Sequence, residues 1–508
     1  MTTDTFDTGT VTVRVLRGAY RDSVALMRAS RAVGALDGVR SALLAMATGL
    51  NLELLADMGG AVPDDVGPND LFIAVRADTA ETRASALLRA EAELAAMAAG
   101  TGSGGAAGED PPRTVRAAAQ WAARTGHPAT VALVAVPGRH AAAEAFEALE
   151  AGLDVLLFSD NVPLAHEIAL KDTAARLGRL VMGPDCGTAV VNGAGLGFAN
   201  AVRPGPVGIV AASGTGAQQL MCLLDAAGVG ISHCLGVGGR DLSAAVGGRS
   251  TRQALRLLDA DPATERIVLL SKPPDAEVAA TVEAECAALT TPVHTVLLGA
   301  SATDIGAAAA EVVAAAGRPV PAWPRWSPDR PTAARPGGAL RGLFCGGTLA
   351  YETMLVASTA LGPIAANIPP PPDRPGRTPG AGLRSDGHLI IDFGDDALTA
   401  GRPHPMIDPA PRDERLAAEL ADPACGVLLL DVVCGHGAHP DPASGVAAAL
   451  RAARAAGSAP PVVVSLTGTA DDPQGTDRQA QTLAAAGAEV FLCNAEAARR
   501  AVELLRTG

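Results

Sequence analysis

The sequence predicts an α/β protein built on parallel sheets, with a small α+β domain in front of them. Three observations predict it. First, two distant stretches each read as a buried strand, a glycine turn and a helix start: Gly208-Ile209-Val210-Ala211-Ala212-Ser213-Gly214-Thr215-Gly216 and Gly342-Leu343-Phe344-Cys345-Gly346-Gly347-Thr348. Second, the likeness continues downstream. Gly239-Arg240-Asp241 corresponds to Gly394-Asp395-Asp396, and Asp261-Pro262 before Ile267 to Leu270 corresponds to Asp422-Pro423 before Val427 to Leu430. Third, strands and helices alternate between residues 131 and 182, the pattern of a doubly wound sheet.

Taken in order, Val11 to Leu16 and Leu71 to Arg76 read as strands, and Arg21 to Val33 and Thr79 to Met97 as helices, giving a small α+β domain over residues 1–99. Gly100 to Pro112 is rich in glycine, proline and acid and reads as a flexible linker. Residues 113–203 form a Rossmann-like unit: strands Val131 to Val136, Val155 to Phe158 and Leu180 to Met182, with helices His140 to Glu150 and Leu164 to Leu177. No GxGxxG follows these strands, so a dinucleotide is not supported. Residues 204–317 hold the first repeat and residues 337–508 the second. Between them Arg318 to Pro336 reads as a linker, and Pro369 to Pro372 as a rigid surface crossing.

The bulk numbers narrow the function. A chain of 508 residues with 48% hydrophobic content supports several packed cores, and a net charge of −14 excludes a nucleic-acid or anionic-membrane partner. The eight cysteines are scattered singly without CxxC spacing, so no metal is expected. With no basic, apolar leader and no run of about 18 apolar residues, the expected location is cytoplasmic.

A helix start presents free N–H groups and the positive end of the helix dipole, which suits anions. Ser213, Gly214, Thr215 and Gly216 are therefore one candidate anion site, although Ser and Thr also serve as ordinary N-caps. Gly346, Gly347 and Thr348 are the counterpart in the second repeat. Gly435, His436 and Gly437, with His439 beyond, sit where a strand gives way to a helix, and His436 is the candidate acid or phosphate ligand. Arg240 and Arg402 are candidates to grip a carboxylate, against the alternative of structural ion pairs. Asp185, Cys186, Asn200, Asp241 and His404 complete the candidate substrate loops. Cys186 reads better as a buried thiol than as a nucleophile, and Lys272 as an ordinary loop lysine.

Several of these segments carry a resemblance. Gly183-Pro184-Asp185-Cys186-Gly187, then Pro206 to Val210 running to Ser213-Gly214-Thr215, then Val237-Gly238-Gly239 follow the order of the α subunit of succinyl-CoA synthetase. Asp431 to Gly437 and Val462 to Thr469 resemble the carboxy domain of its β subunit. Together with Leu157 to Val162, Met182 to Ala189, Gly238 to Ser243 and Gly401 to Pro409, the pattern is similar to the FdrA family. That resemblance implies a Rossmann-like CoA-binding-type domain and two flavodoxin-like succinyl-CoA-synthetase-type domains behind the amino-terminal one. It further implies a subunit of an oxamate carbamoyltransferase, interconverting carbamoyl phosphate and oxamate with oxalurate and phosphate in allantoin catabolism. Companion subunits are implied, and a homo-oligomer is also open. The alternatives are CoA-dependent acyl-CoA synthesis and a non-catalytic scaffold; CoA is a candidate ligand in the first. The sequence departs from succinyl-CoA synthetase where that enzyme carries its phosphorylated histidine: here Gly299-Ala300-Ser301 stands instead, and the ATP-grasp half is absent.

Overall fold

The computed structural model describes residues 3–7, 11–19, 21, 23–62, 65–100, 112–299, 303–329, 337–371, 374, 376–399, 402–457 and 459–507. The chain divides into two compact units, residues 1–112 with 401–403 and residues 113–400 with 404–508. The expected linker at residues 101–111 lies outside the described residues, as does Pro372 of the tetraproline.

The first unit contains β1 (Thr3–Asp7), β2 (Val11–Leu16), α1 (Ser23–Gly34), β3 (Val39–Met46), α2 (Gly49–Asp57), β4 (Leu71–Ala77) and α3 (Ala80–Gly100). Its strands form an antiparallel sheet in the order β1-β2-β4-β3. Val11, Val13 and Val15 alternate along β2, so all three point to one face and pack with Leu55 of α2 and Phe72. The other face packs Ile73 and Val75 against Leu26 of α1 and Ala86 and Leu94 of α3. This is the small α+β domain expected.

The second unit opens with α4 (Val115–Arg124), β5 (Val131–Val134), α5 (Gly138–Glu150), β6 (Asp154–Leu157), α6 (Leu164–Leu177) and β7 (Val181–Met182). The three strands are parallel in the order β5-β6-β7. Gly178, at φ 66, ends α6 in the left-handed conformation that glycine adopts without strain. Next come β8 (Thr188–Val191), β9 (Ala194–Gly197), β10 (Pro204–Ala212), α7 (Gly214–Ala226), β11 (Ile231–Gly236), α8 (Arg249–Asp259), β12 (Arg266–Ser271), α9 (Ala276–Ala288), β13 (Val293–Leu297) and α10 (Ile305–Ala315). Their sheet has the order β13-β12-β10-β11-β8-β9. The last part holds β14 (Arg325–Trp326), β15 (Ala339–Phe344), α11 (Gly347–Leu361), β16 (Ala365–Ala366), β17 (Leu389–Asp392), α12 (Asp396–Thr399), α13 (Ala410–Ala421), β18 (Cys425–Val433), α14 (Pro442–Ala455), β19 (Val462–Thr467), α15 (Thr476–Ala486), β20 (Glu489–Phe491) and α16 (Asn494–Thr507). This sheet runs β14-β20-β19-β18-β15-β17-β16.

The repeat seen in the sequence is a repeat of topology. The parallel run β13-β12-β10-β11 matches β19-β18-β15-β17, with β10 and β15 in equivalent central places. The two sheets share one core. Ile209, Leu220 and Ile231 of the first pack in the same cluster as Leu340, Leu349, Met354 and Val427 of the second. Helices α7, α10, α11 and α16 fill the layer between them. Burial on both faces explains why β18 is apolar along almost its whole length. Asp431 is the exception, and it shapes the site described below.

Two expectations about connections change. The hairpin β8–β9 belongs by sequence to the Rossmann-like stretch, yet it joins the next sheet, pairing antiparallel with β11 at His233↔Val191 and Cys234↔Val190. The stretch from Arg318 was expected to be only a linker. Its β14 pairs antiparallel with β20, and Trp323 is buried in the shared core.

Candidate functional site

The two repeated turns meet. Ser213 follows β10 and Gly346 follows β15, so α7 and α11 both start at carboxyl ends of parallel strands, where open α/β sheets bind ligands. Ser213 Oγ lies 2.6 Å from Thr348 Oγ1. A methyl group added to Gly346 would stand 2.8 Å from Thr215 Oγ1, and one on Gly216 would stand 2.9 Å from Thr348 Cγ2. Glycine at both places lets the helix starts approach to contact.

Not every expected donor is free. Ser213 Oγ accepts from the Gly216 amide at 3.0 Å, the ordinary N-cap bond. Asp431 reaches up from β18 and accepts from the amides of Cys345, at 2.7 Å, and Gly346, at 2.8 Å. The expectation that Gly346 offers its amide to an anion is therefore corrected: a carboxylate from its own sheet already occupies it. That carboxylate is fully buried, and burial pushes its pKa up, opposed chiefly by the nearby charge of Arg412. Arg412 donates to the Asp431 carbonyl at 2.8 Å. At these two helix starts no partner is found among the described residues for the amides of Gly214 and Thr215 on α7 or of Gly347, Thr348 and the buried Leu349 on α11. Gly214 is exposed, and Thr215 and Gly347 are partly so.

Charged side chains ring this point. Asp392, at the end of β17, pairs in register with Phe344 of β15 and is 6% exposed. Its Oδ1 accepts from the Gly394 amide at 2.9 Å. Its Oδ2 would lie 2.5 Å from a methyl group on Gly347, so it faces the first residue of α11. Burial lifts this carboxyl to a pKa of about 7, with Lys272 pulling it down and Asp431 and Asp395 pushing it up. Asp185, after β7, also rises to about 7. Crowding by protein is the main cause and Asp396 and Asp160 add to it, while Lys272 and Arg240 oppose the rise. Solvent nevertheless reaches Asp185. The space bordered by Asp185, Asp396 and Lys272, each within electrostatic reach of the others, is the cleft.

Lys272 is the residue that sequence reading passed over. It follows β12, is partly buried, makes no ion pair or hydrogen bond among the described residues, and its charge is felt at Asp185, Asp392 and Asp396. Its place after the strand next to β10 was the available signal.

The remaining candidates are placed differently. Asp241 is corrected from a substrate residue to a structural one. It is fully buried, bonds Lys171 Nζ at 2.7 Å, and caps α8 through the Ser250 and Thr251 amides. Arg240 is half-exposed, forms an ion pair with Glu167 and donates to the Val162 carbonyl, each at 2.9 Å. Its charge still reaches the cleft. Asn200 is buried and pins two parts of the second unit together, donating to the Cys434 carbonyl at 3.1 Å and to Asp472 at 2.7 Å. Gly435 donates its amide to Gln474 at 2.9 Å, so it too is occupied. His436 is exposed, with its amide on the Ala199 carbonyl at 2.8 Å, and Gly437 adopts φ 81 beside it. His439 is buried within the turn. His404 packs its ring 5.7 Å from that of Phe198, and burial lowers its pKa to about 4, so it is neutral. Arg402 is exposed and belongs to the first unit rather than the second.

Cys186 is sealed in the core, where burial raises its thiol to about 12. Cys234 and Cys345 are equally enclosed, with thiols pushed far above the usual range. A nucleophilic thiolate needs the opposite environment. Native protein treated with iodoacetamide near neutral pH should therefore leave these three unlabelled, with Cys286, at 8% exposure, reacting first. Mass-spectrometric mapping of labelled peptides checks this, and early labelling at Cys186 would contradict it.

A cavity of about 790 Å³ lies elsewhere in this unit, along α11 beyond its first turn, lined by Glu352, Leu355, Val356, Thr359, Arg374 and Arg499 among others. Among the described residues no group of three or more His, Cys, Asp or Glu is placed to hold a metal ion, and no helix is long and apolar enough to cross a membrane.

Residues 343–504, which contain the second helix start and most of its sheet, match the family model described as CoA-ligase. Residues 9–111 match the one described as AllF, heavy metal-associated domain, although they contain neither cysteine nor histidine. The chain is 36% identical to YahF of Escherichia coli (strain K12) over 94% of its own length and 95% of that protein's. It is 30% identical to the ADP-forming sulfoacetate-CoA ligase subunit SauD of Bilophila wadsworthia (strain 3_1_6), over 35% of this chain and 62% of that one. It is 28% identical to the succinate–CoA ligase [ADP-forming] subunit alpha of Methanothermobacter thermautotrophicus, over 34% and 57%. The chain thus spans about three fifths of each of these ligase subunits. It belongs to the YahF family, an FdrA-like fusion of an AllF-type amino-terminal domain with a CoA-ligase domain of the succinyl-CoA-synthetase kind.

The same findings correct the expected activity. Family model and ligase relatives alike point to CoA-ligase-type chemistry, so the oxamate carbamoyltransferase reading, with its place in allantoin catabolism, is withdrawn. The resemblance had identified the fold correctly, but the chemistry assigned to it was wrong. Amides and hydroxyls at helix starts bind a tetrahedral anion whichever acyl group it carries.

Proposed function

We propose that this chain is a subunit of an acyl-CoA synthetase of the CoA-ligase type, and that the facing starts of α7 and α11 hold the phosphoryl group of an acyl phosphate. The observation that supports this reading is the CoA-ligase match over residues 343–504, a stretch that includes the helix start touching Ser213. The free amides of Gly214, Thr215, Gly347 and Thr348 supply donors, and Lys272 supplies the nearby positive charge. CoA fits the Rossmann-like part. There α5 begins at Pro137–Gly138 with Arg139 and His140 exposed beside it, a helix start with polar side chains suited to CoA phosphates.

In the synthetic direction the CoA thiol sulfur attacks the acyl carbonyl of the acyl phosphate. The C–S bond forms, the acyl C–O bond to phosphate breaks, and the thiol proton ends on the released phosphate. Nothing in this exchange needs a phosphorylated histidine, in keeping with Gly299-Ala300-Ser301; residues 300–302 lie outside the described residues. Making the acyl phosphate from a nucleotide falls to a companion subunit. The named substrates of the two ligase relatives, sulfoacetate and succinate, each carry a second anionic group, and Lys272 is suited to meet one.

Run in reverse, the reaction is easily read. With its companion subunit present, the protein should release free CoA thiol from an acyl-CoA such as succinyl-CoA only when inorganic phosphate is added, as followed with a thiol reagent. Thiol release equal with and without phosphate, or absent across a panel of acyl-CoAs, would defeat the proposal.

A further inference from the structure

The cleft that would receive a phosphoryl group is acidic. Asp160, Asp185, Asp392, Asp395 and Asp396 surround it, against Lys272 and Arg240. A doubly charged anion brought among that many carboxylates meets strong repulsion unless one of them is neutral. Of the five, Asp392 is the one whose oxygen faces the start of α11. Its Oδ1 is fixed by the Gly394 amide, while Oδ2 accepts no hydrogen bond among the described residues and points at Gly347. A carboxylate oxygen there can only repel an anion. A carboxylic acid there donates to it.

We propose that Asp392 is an anion ligand in its protonated form, so that filling the site between the α7 and α11 starts takes up one proton. The inference rests on the reading of those starts as an anion site, and adds to it which side chain completes the site and how pH controls it.

The surroundings of Asp392 support it. Lys272, after β12, favours the ionised form; Asp431 on β18 and Asp395 before α12 favour the neutral one, as does burial. These place the free carboxyl at about pKa 7, where a proton is available at little cost. A bound anion adds another negative charge and raises the pKa further. The sign follows: affinity is greatest and level below the free midpoint, and above it falls by up to about tenfold per pH unit. Asp185, also near 7, follows β7, shares Lys272 as a charged neighbour with Asp392, and is the second group that can contribute.

Sulfate is the probe of choice, being tetrahedral and doubly charged throughout the range, whereas phosphate itself titrates near neutrality. Calorimetry on the full chain, in buffers of different ionisation enthalpy, counts the protons taken up on binding. The expected result is uptake approaching one proton per sulfate above neutral pH, and binding that weakens as pH rises. Asp392→Asn keeps the oxygen that accepts from Gly394 and cannot ionise. It should bind sulfate roughly tenfold more tightly than wild type one unit above the midpoint, with most of the proton uptake gone. Sulfate binding without proton uptake in wild type, or uptake unchanged in Asp392→Asn, overturns the inference and leaves the anion site standing. Binding of neither sulfate nor phosphate at any pH overturns both. The wild-type proton count decides the matter even if the variant folds poorly.

Discussion

Lys171→Met should destabilise the second unit by about 3–5 kcal/mol, the usual cost of removing one partner from a buried ion pair. Lys171 is 2% exposed and bonds Glu167 at 2.8 Å, Asp241 at 2.7 Å and the Val237 carbonyl at 3.0 Å. Glu167 and Asp241 are 1% and 0% exposed. Methionine fills much the same space but leaves two buried carboxylates with less compensation. The loss is tempered on both sides, because Arg240 still reaches Glu167 at 2.9 Å and the Ser250 and Thr251 amides still bond Asp241. The double variant Lys171→Met with Glu167→Gln removes one of the stranded charges and should recover part of the loss. Denaturant unfolding followed by circular dichroism reads both, and a midpoint indistinguishable from wild type for the single variant would refute the assignment. The effect also bears on function. The same knot holds the loop after β11 that carries Arg240 toward the cleft, so the variant should weaken anion binding before it unfolds.

That knot shows why some of the site was legible in the sequence and some was not. The strands and helices with strong periodicity were read nearly to the residue: Val11–Leu16 and Leu164–Leu177 stand as expected. The paired turns at Ser213 and Gly346 were visible because glycines that follow a buried strand and precede a helical run mark a tight turn from the local sequence alone. Lys171, Asp431 and Asp392 carry no such local mark. Lys171 looks like one more polar residue on an amphipathic helix, and its partner Asp241 is 70 residues away. Asp431 interrupts an apolar strand, and the amides it serves lie 85 and 86 residues earlier. Asp392 becomes informative only when β17 is known to lie beside β15. Short elements such as β8, β9 and β14 escaped for a related reason: a two- to four-residue strand is defined by its neighbour in the sheet rather than by its own composition. Local chemistry thus marked the two turns that the structure brings into contact. The charges around them are brought there by topology alone.

The closeness of the two helix starts is itself open to test, through Gly346→Ala. The backbone at Gly346, φ −109 and ψ 107, suits alanine as well as glycine, so no conformational strain is introduced. The added methyl group would instead stand 2.8 Å from Thr215 Oγ1 and 2.9 Å from its Cβ and Cγ2. Atoms that close must separate, and the neighbour is the first turn of α7. Wedging the two starts apart by even part of an ångström spoils the shared geometry of four amides, and a misplacement of about 1 Å costs on the order of 100-fold in rate. A loss of that order is expected in phosphate-dependent thiol release, with sulfate affinity falling alongside it and the unfolding midpoint changing little. Thr215→Gly removes the clashing side chain from the other helix, so the double variant should regain much of what Gly346→Ala loses. That reciprocal rescue separates a wedge between α7 and α11 from general damage to α11. Activity of Gly346→Ala within about twofold of wild type, well below the loss that such a displacement entails, would mean that the two starts need not stay in contact to work. In that case the phosphoryl group must be held by one helix rather than by both.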